Sequence, residues 1–198
     1  MQAFLLGGAV ATWAIAHSLL ASNRSKALVH RLFGAAASRA YRLTYNIVSA
    51  ITLAPVAWLM WKLPDRALYS IPVPWSMVML GVQTVAAILI ALTLLQTNAL
   101  QFAGLSQILG LAEGGGLVST GLYGIVRHPL YLLGVIFLWF APHMSINQLA
   151  VSLVLTAYLF IGALFEERRL EQEFGESYRQ YRERTPMMFP EFLKRRSR

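Results

Sequence analysis

The sequence predicts an all-α integral membrane protein, with about five transmembrane helices and a C-terminal amphipathic cytoplasmic helix. Three observations carry this. The 198 residues are 57% hydrophobic and only 13% charged, with mean hydropathy +0.53, whereas soluble domains carry about 25% charged residues. Apolar runs recur at the roughly 20-residue length that crosses a bilayer. After Phe165 the composition changes abruptly to EERRLEQEFGESYRQYRERTP, polar but with a helical apolar stripe.

The first span runs from about Ala3 to Ala21, with His17 its only titratable side chain. No charged n-region precedes it, so it reads as a retained helix rather than a cleaved signal peptide. Ser22 to Arg42 reads as a basic loop holding Arg24, Lys26, Arg31, Arg39 and Arg42. A second span, about Leu43 to Trp61, contains Pro55, where a kink is expected. A Pro-rich loop leads to a third span, Pro74 to Leu95. Thr97 to Val126 is Gly-rich and polar by comparison; Gly114, Gly115 and Gly116 lack a following P-loop lysine and read as a flexible lid. Pro129 opens a shorter apolar segment reaching Met144, only about 22 Å as helix, so it should form a short hairpin with the fifth segment, Ser145 to Phe165. Pro142, His143 and Asn147 fall near its turn. Leu170, Phe174, Tyr178 and Tyr181 then mark an amphipathic helix continuing along the membrane surface, weakened at Gly175 and followed by the tail FLKRRSR. The whole chain, 1–198, reads as one domain: three N-terminal spans (1–95), a cytoplasmic loop (96–128), a helical hairpin (129–165) and a C-terminal helix with tail (166–198).

Charge sets the expected orientation. With five spans and the N-terminus outside, fifteen Lys and Arg fall on inner segments and two, Lys62 and Arg66, on outer ones. The net charge of +8 therefore reads as topology and contact with anionic lipid, not as nucleic-acid binding. With no cysteine, disulfides, thiolate metal sites and cysteine nucleophiles are excluded, and no metal site is expected.

Two clusters could carry chemistry. Gly121-Leu-Tyr-Gly-Ile-Val-Arg-His-Pro-Leu-Tyr131 packs Tyr123, Arg127, His128 and Tyr131 around a helix entrance that Pro129 opens. Free N–H groups at a helix start favour an anion, and Arg127 adds a planar fork for the same purpose. An interfacial anchor would use the same residue types. Glu166 and Glu167, at the end of the last span, could simply pair with Arg168 and Arg169. A hairpin, however, returns the chain to the face it left. The two clusters can then enclose one cavity with a cationic and an anionic wall, which suits a zwitterionic ligand.

The joint pattern G-x-Y-x-x-x-R-H-P-x-Y-x-x-G, then E-E-x-x-L-x-x-x-F-G-x-x-Y-x-x-Y and P-x-x-x-P, occupies Gly121 to Pro190 here. It resembles the isoprenylcysteine carboxyl methyltransferase-like superfamily. The resemblance implies an integral-membrane S-adenosylmethionine-dependent methyltransferase without a Rossmann domain. Carried over, Tyr123, Arg127, His128, Pro129 and Tyr131 would line the amino-acid end of the cofactor and Glu167 its ribose or amino group. Arg127 and Glu166 would face the reacting centre as catalytic residues. The stretches AHSLLASNRSK, YRLTYNIVSAITLAP and FAGLSQ resemble the bacterial branch related to methanethiol S-methyltransferase, and also the NnrU-like membrane proteins, some of whose relatives bind haem.

The expected function is methyl transfer to a small or lipophilic acceptor, a thiol first, at the cytoplasmic face of a bacterial inner membrane. The acceptor would enter from the bilayer. A prenylcysteine carboxylate or a phospholipid amine are the other acceptors within the class. The reading from another class is a haem-binding protein with His17 or His128 as axial ligand, and the plainest is a structural membrane subunit. For His17 itself the sequence suggests either function, as an ionisable group at membrane depth, or a hydrogen bond to a carbonyl, to Tyr45 or to Asn46.

Overall fold

In the computed structural model, residues 1–96, 100, 103–111 and 116–189 are described. Gly114 and Gly115 of the expected lid, Pro190 of the motif and the FLKRRSR tail lie outside them. Four helices are long and apolar enough to cross a membrane: α1 (Gln2–Ala21), α2 (Asn23–Lys62), α3 (Trp75–Gln96) and α6 (Ile146–Phe174). Between them lie β1 (Ala67–Ser70), the single turn α4 (Leu105–Ile108), a 3₁₀ turn at Gly121–Gly124, α5 (Pro129–Trp139) and β2 (His143–Ser145); α7 (Glu176–Arg184) closes the described chain. The protein is an all-α integral membrane protein, with a short antiparallel ladder between β1 and β2.

The bundle is inside-out relative to a soluble one. Phe4, Ile15, Trp58, Leu92 and Phe160 are exposed on its flanks, as a hydrocarbon solvent permits. The tight core is small: Leu6, Val10, Val56 and Val151, with Ala9, Trp13 and Val154 packed around it. α1 packs on α2 and α6, α5 on α3 and α6. Gly7 lets α1 approach Val154 and Ala150 of α6, and Gly134 lets α5 approach Leu159; small residues at such crossings gain close van der Waals contact. Polar side chains bond across helices, Gln83 Nε2 to the Phe137 carbonyl at 2.7 Å and Trp139 Nε1 to Thr156 Oγ1 at 2.9 Å.

α5 has 11 residues, about 17 Å of helix against a roughly 30 Å hydrocarbon core. The remaining distance is covered by the 140–142 turn and the β1–β2 pair. Asp65 Oδ1 accepts from the Asn147 N–H and Ser145 caps the Gln148 N–H, which starts α6. Asn147 is therefore buried in the first turn of α6, beyond the hairpin turn proper. α6, with 29 residues, measures about 43 Å. Its charged C-terminal turns rise past the apolar zone at the end of the bundle where α1 finishes and α5 begins.

Two expectations are corrected. The basic stretch 22–42 is not a loop: Ser22 caps a helix that runs to a kink at Gly34, and helix resumes beyond it into the rest of α2. Ala, Leu, Arg and Lys favour helix, and exposed Leu28, Leu32 and Phe33 beside Arg24 and Arg31 give residues 23–33 the character of an interfacial helix. The backbone of α2 leaves helical geometry at Gly34 (φ 76°, ψ −170°), not at Pro55, which stays within the helix. The C-terminal amphipathic helix also does not run on along the surface. Gly175 (φ 53°, ψ −122°) ends α6 and starts α7, which packs back on the end of α6. Tyr178 is fully buried and Tyr181 nearly so.

Candidate active site

The site forms where three pieces of chain meet: the 123–131 segment, the end of α6, and α7 with the turn after it. Arg127 and Glu167, 40 residues apart, form a side-on pair, Nε to Oε1 at 2.7 Å and Nη2 to Oε2 at 2.8 Å. The third guanidinium nitrogen, Nη1, donates to the carbonyls of Arg182 and Thr185. All three nitrogens of Arg127 are thus committed, and its side chain is 9% exposed. The Arg127 and His128 N–H groups donate to the Pro186 and Met187 carbonyls at 2.9 and 3.0 Å. This short backbone pairing fixes the loop against the chain that follows α7.

Glu167 is equally occupied. Its Oε1 also receives the Tyr178 hydroxyl at 2.8 Å and lies 3.0 Å from His128 Nε2. On the other side of the ring, Nδ1 stands 3.6 Å from Glu166 Oε2. His128 therefore sits between two carboxylates with its side chain 4% exposed. Burial disfavours its charged form, but Glu166 and Glu167 outweigh this and raise its pKa above the usual 6.5. Tyr131 stacks on the His128 ring, centroids 5.4 Å apart. The Tyr181 hydroxyl donates to the Tyr123 carbonyl at 2.6 Å. Burial, with Glu166 nearby, pushes the Tyr123 phenol up to about 12.

Glu166 meets this network at its edge, through His128. Its side chain is 33% exposed, and its ion pairs, to His128 and Arg169, are both long at 3.6 Å. Burial would raise its pKa, but hydrogen bonding from His128 and Tyr131 outweighs this and holds it below the usual carboxylate value.

The residues that the resemblance assigns to catalysis and cofactor binding come together here: Tyr123, Arg127, His128, Pro129, Tyr131, Glu166 and Glu167. Pro129 is buried at the first position of α5. Pairing of the acids with arginine is also real, but Arg169 meets only Glu166, while Glu167 takes Arg127. Sequence reasoning missed the part played by α7. Tyr178 and the carbonyls of Arg182 and Thr185 complete the network; the signal was the Y-x-x-Y of the motif, two hydroxyls on an otherwise apolar stripe. His17 lies elsewhere, inside the bundle, and bonds Ser49 and Tyr45. Both ring nitrogens of His17 and of His128 are engaged by protein groups, an arrangement unlike that of an axial haem ligand.

Fold and site together define a helical membrane protein with a buried ion cluster at the end of its bundle. The chain belongs to the NnrU protein family, which matches residues 5–192. Methanethiol S-methyltransferase 1 of Bradyrhizobium diazoefficiens is 28% identical over 187 residues, 91% of this chain and 64% of its own length. Methanethiol S-methyltransferase of Pseudomonas deceptionensis is 28% identical over 193 residues, 91% of this chain and 70% of its own. The chain thus spans about two thirds of the length of these curated relatives. Protein-S-isoprenylcysteine O-methyltransferase of Schizosaccharomyces pombe is 35% identical over 79 residues, 37% of this chain. No solved structure matches.

Proposed function

We propose that this protein is a membrane methyltransferase that transfers a methyl group from S-adenosylmethionine to a small thiol, at the cytoplasmic face of the membrane. The observation that carries the reading is the partly exposed Glu166 carboxylate, held beside a fully satisfied Arg127–Glu167–His128–Tyr178 clamp. Similarity to methanethiol S-methyltransferases along nine tenths of the chain supports the reaction and the thiol.

The donor set suits this cofactor. S-adenosylmethionine has two cationic centres, and the site offers one accessible carboxylate with the aromatic faces of Tyr123 and Tyr131 beside it. Its carboxylate suits the start of α5, where the Leu130 and Tyr131 N–H groups precede the first intrahelical bond, from Leu132 to His128. When bound, the cofactor supplies an electrophilic methyl on sulfur. The chain's task is then to align and exclude water. Glu166 attracts the cation, Tyr123 and Tyr131 pack against it, and Arg127, His128 and Glu167 hold the walls at fixed spacing. Arg127 acts here as a positioning residue, because its donors are spent within the protein. Pro129 sets the angle at which α5 leaves the site.

The fifteen-to-two distribution of basic residues supports an orientation with the N-terminus outside and the site and C-terminus in the cytoplasm. The polar cofactor enters from that side, and the apolar acceptor from the bilayer. Calorimetry on the purified protein in detergent, followed by transfer of labelled methyl to methanethiol, tests the proposal. Saturable binding with labelled dimethyl sulfide as product is the expected result. A folded sample that does not bind S-adenosylmethionine overturns it.

A further inference from the structure

A second polar cluster lies inside the bundle, outside the site just described. His17 of α1 places Nδ1 2.9 Å from Ser49 Oγ and Nε2 2.5 Å from the Tyr45 hydroxyl, both on α2. Three aromatic rings enclose the imidazole. Trp13 stacks on it at 5.0 Å, Tyr45 tilts against it at 4.9 Å and Tyr158 of α6 meets it edge-on at 6.2 Å. An ionisable group among apolar helices is costly. Joining α1 to α2 does not require it. Trp13 Nε1 already donates to the Ser49 carbonyl, Tyr41 OH to the Leu20 carbonyl and Ser25 Oγ to the Leu19 carbonyl.

The cluster and the candidate active site share α6. Tyr158 and Glu166 are eight residues apart on α6, about 12 Å along one face. Tyr158 meets the His17 ring edge-on at 6.2 Å, and on the site's side Tyr131 stacks on His128 at 5.4 Å. α6 thus carries both Tyr158 of the His17 cluster and the Glu166 carboxylate of the site.

We propose that Trp13, His17, Tyr45 and Tyr158 form the acceptor site, where a small alkyl thiol binds among the rings and His17, through the Tyr45 hydroxyl, takes its proton. The proposal rests on the methyltransferase reading and adds to it the place and the base for the acceptor. Sulfur packs favourably against aromatic rings. A thiol buried among apolar groups resists ionisation, so a base at hand when the new bond forms lowers the barrier. The balance is simple. The thiol gives its S–H proton to the Tyr45–His17 pair. With the electron pair left on sulfur it bonds to the methyl carbon of the sulfonium donor, displacing a neutral thioether. The proton leaves His17 for water at the open end of the bundle.

The experiment begins with donor-free protein in detergent, titrated with ethanethiol while tryptophan fluorescence is followed. A saturable change that Trp13→Phe abolishes is expected; a change that Trp13→Phe leaves intact overturns the site. Next, His17→Gln is compared with the unsubstituted chain for S-adenosylmethionine affinity and for kcat with two acceptors. Affinity stays within about twofold, while kcat with ethanethiol falls about 100-fold, the usual worth of a general base. With thiophenol, which ionises far more readily, most of the rate survives. Equal losses with both thiols, or none with either, overturn the proposal. Should His17→Gln fail to fold, Tyr45→Phe carries the same comparison, since it removes only the hydroxyl that reaches His17. Failure of the unsubstituted chain to bind S-adenosylmethionine overturns the methyltransferase reading itself. Normal donor binding with no selective loss on thiols overturns only the acceptor site.

Discussion

Adjacent acids in one helical turn have opposite surroundings. Glu167 accepts four close contacts from Arg127, His128 and Tyr178 and is 13% exposed; Glu166 has two long ion pairs and is 33% exposed. Removing the first charge leaves Arg127 buried without its partner, and breaking a buried pair costs about 3 kcal/mol or more. Glu167→Gln should therefore lower the thermal midpoint in detergent clearly. Glu166→Gln should cost less than Glu167→Gln, because its ion pairs are longer and its side chain is less enclosed, yet weaken S-adenosylmethionine binding at least tenfold by calorimetry. Equal stability losses in the two variants would contradict this division. His128 gives a pH signature. Its pKa is raised in the folded protein by Glu166 and Glu167, so the folded state holds the proton more tightly than the unfolded chain. That stabilisation is complete below about pH 6.5 and is lost as pH rises through the raised folded value. Thermal midpoints measured across this range should fall in the unsubstituted chain and lose that component in His128→Gln.

Single backbone positions decide how the elements meet. Gly104 (φ 89°) precedes α4 where it lies on α2, and a Cβ there would stand 2.5 Å from the Leu43 nitrogen. Backbone cannot retreat as a flexible side chain can, so Gly104→Ala combines an unfavourable φ with a clash. It should cost more than the roughly 1–2 kcal/mol of the conformation alone, measured as a loss of detergent-solubilised, monodisperse protein on heating. At Gly175 nothing lies within 4 Å of the added carbon, so only its backbone conformation is penalised, by about 1–3 kcal/mol. Gly175→Ala should disturb α7 and so weaken cofactor binding through Tyr178, while the spans persist by circular dichroism. These positions also mark how far the sequence could be read. The first and third spans were legible to within a residue or two, since each apolar run ends sharply. The meeting of Arg127 with Glu167 was legible from hairpin logic. The helix over 23–42 was hidden because five cations read as a loop although their intrinsic preference is helical. The reversal at Gly175 was hidden because Leu170, Phe174, Tyr178 and Tyr181 keep helical spacing across it. On an unbroken helix Tyr178 would lie about 16 Å from Glu167; only the break brings the hydroxyl to 2.8 Å.

At the scale of the whole molecule, one end of the bundle carries the chemistry and the other a lock. The β1–β2 pair, Asp65 and Asn147 close the end where α2 hands over to α3 and α5 to α6. Two polar layers, His17 with Tyr45 and then Glu166 with its clamp, rise toward the opposite end. Among the described residues the lock end carries Lys62 and Arg66, and the site end carries Arg127, Arg168, Arg169, Arg179, Arg182 and Arg184, an asymmetry in line with the proposed cytoplasmic placement of the site. Because the chain contains no cysteine, each single-cysteine variant is a clean reporter of sidedness. Ser70→Cys in β1 and Arg184→Cys at the end of α7 replace exposed residues at opposite ends. In intact spheroplasts a membrane-impermeant maleimide should label Ser70→Cys and spare Arg184→Cys until the membrane is permeabilised. The reverse pattern would turn the molecule over and place the Glu166 site away from cytosolic S-adenosylmethionine. The chemistry and the topology therefore stand or fall on separate measurements, one of binding and one of accessibility.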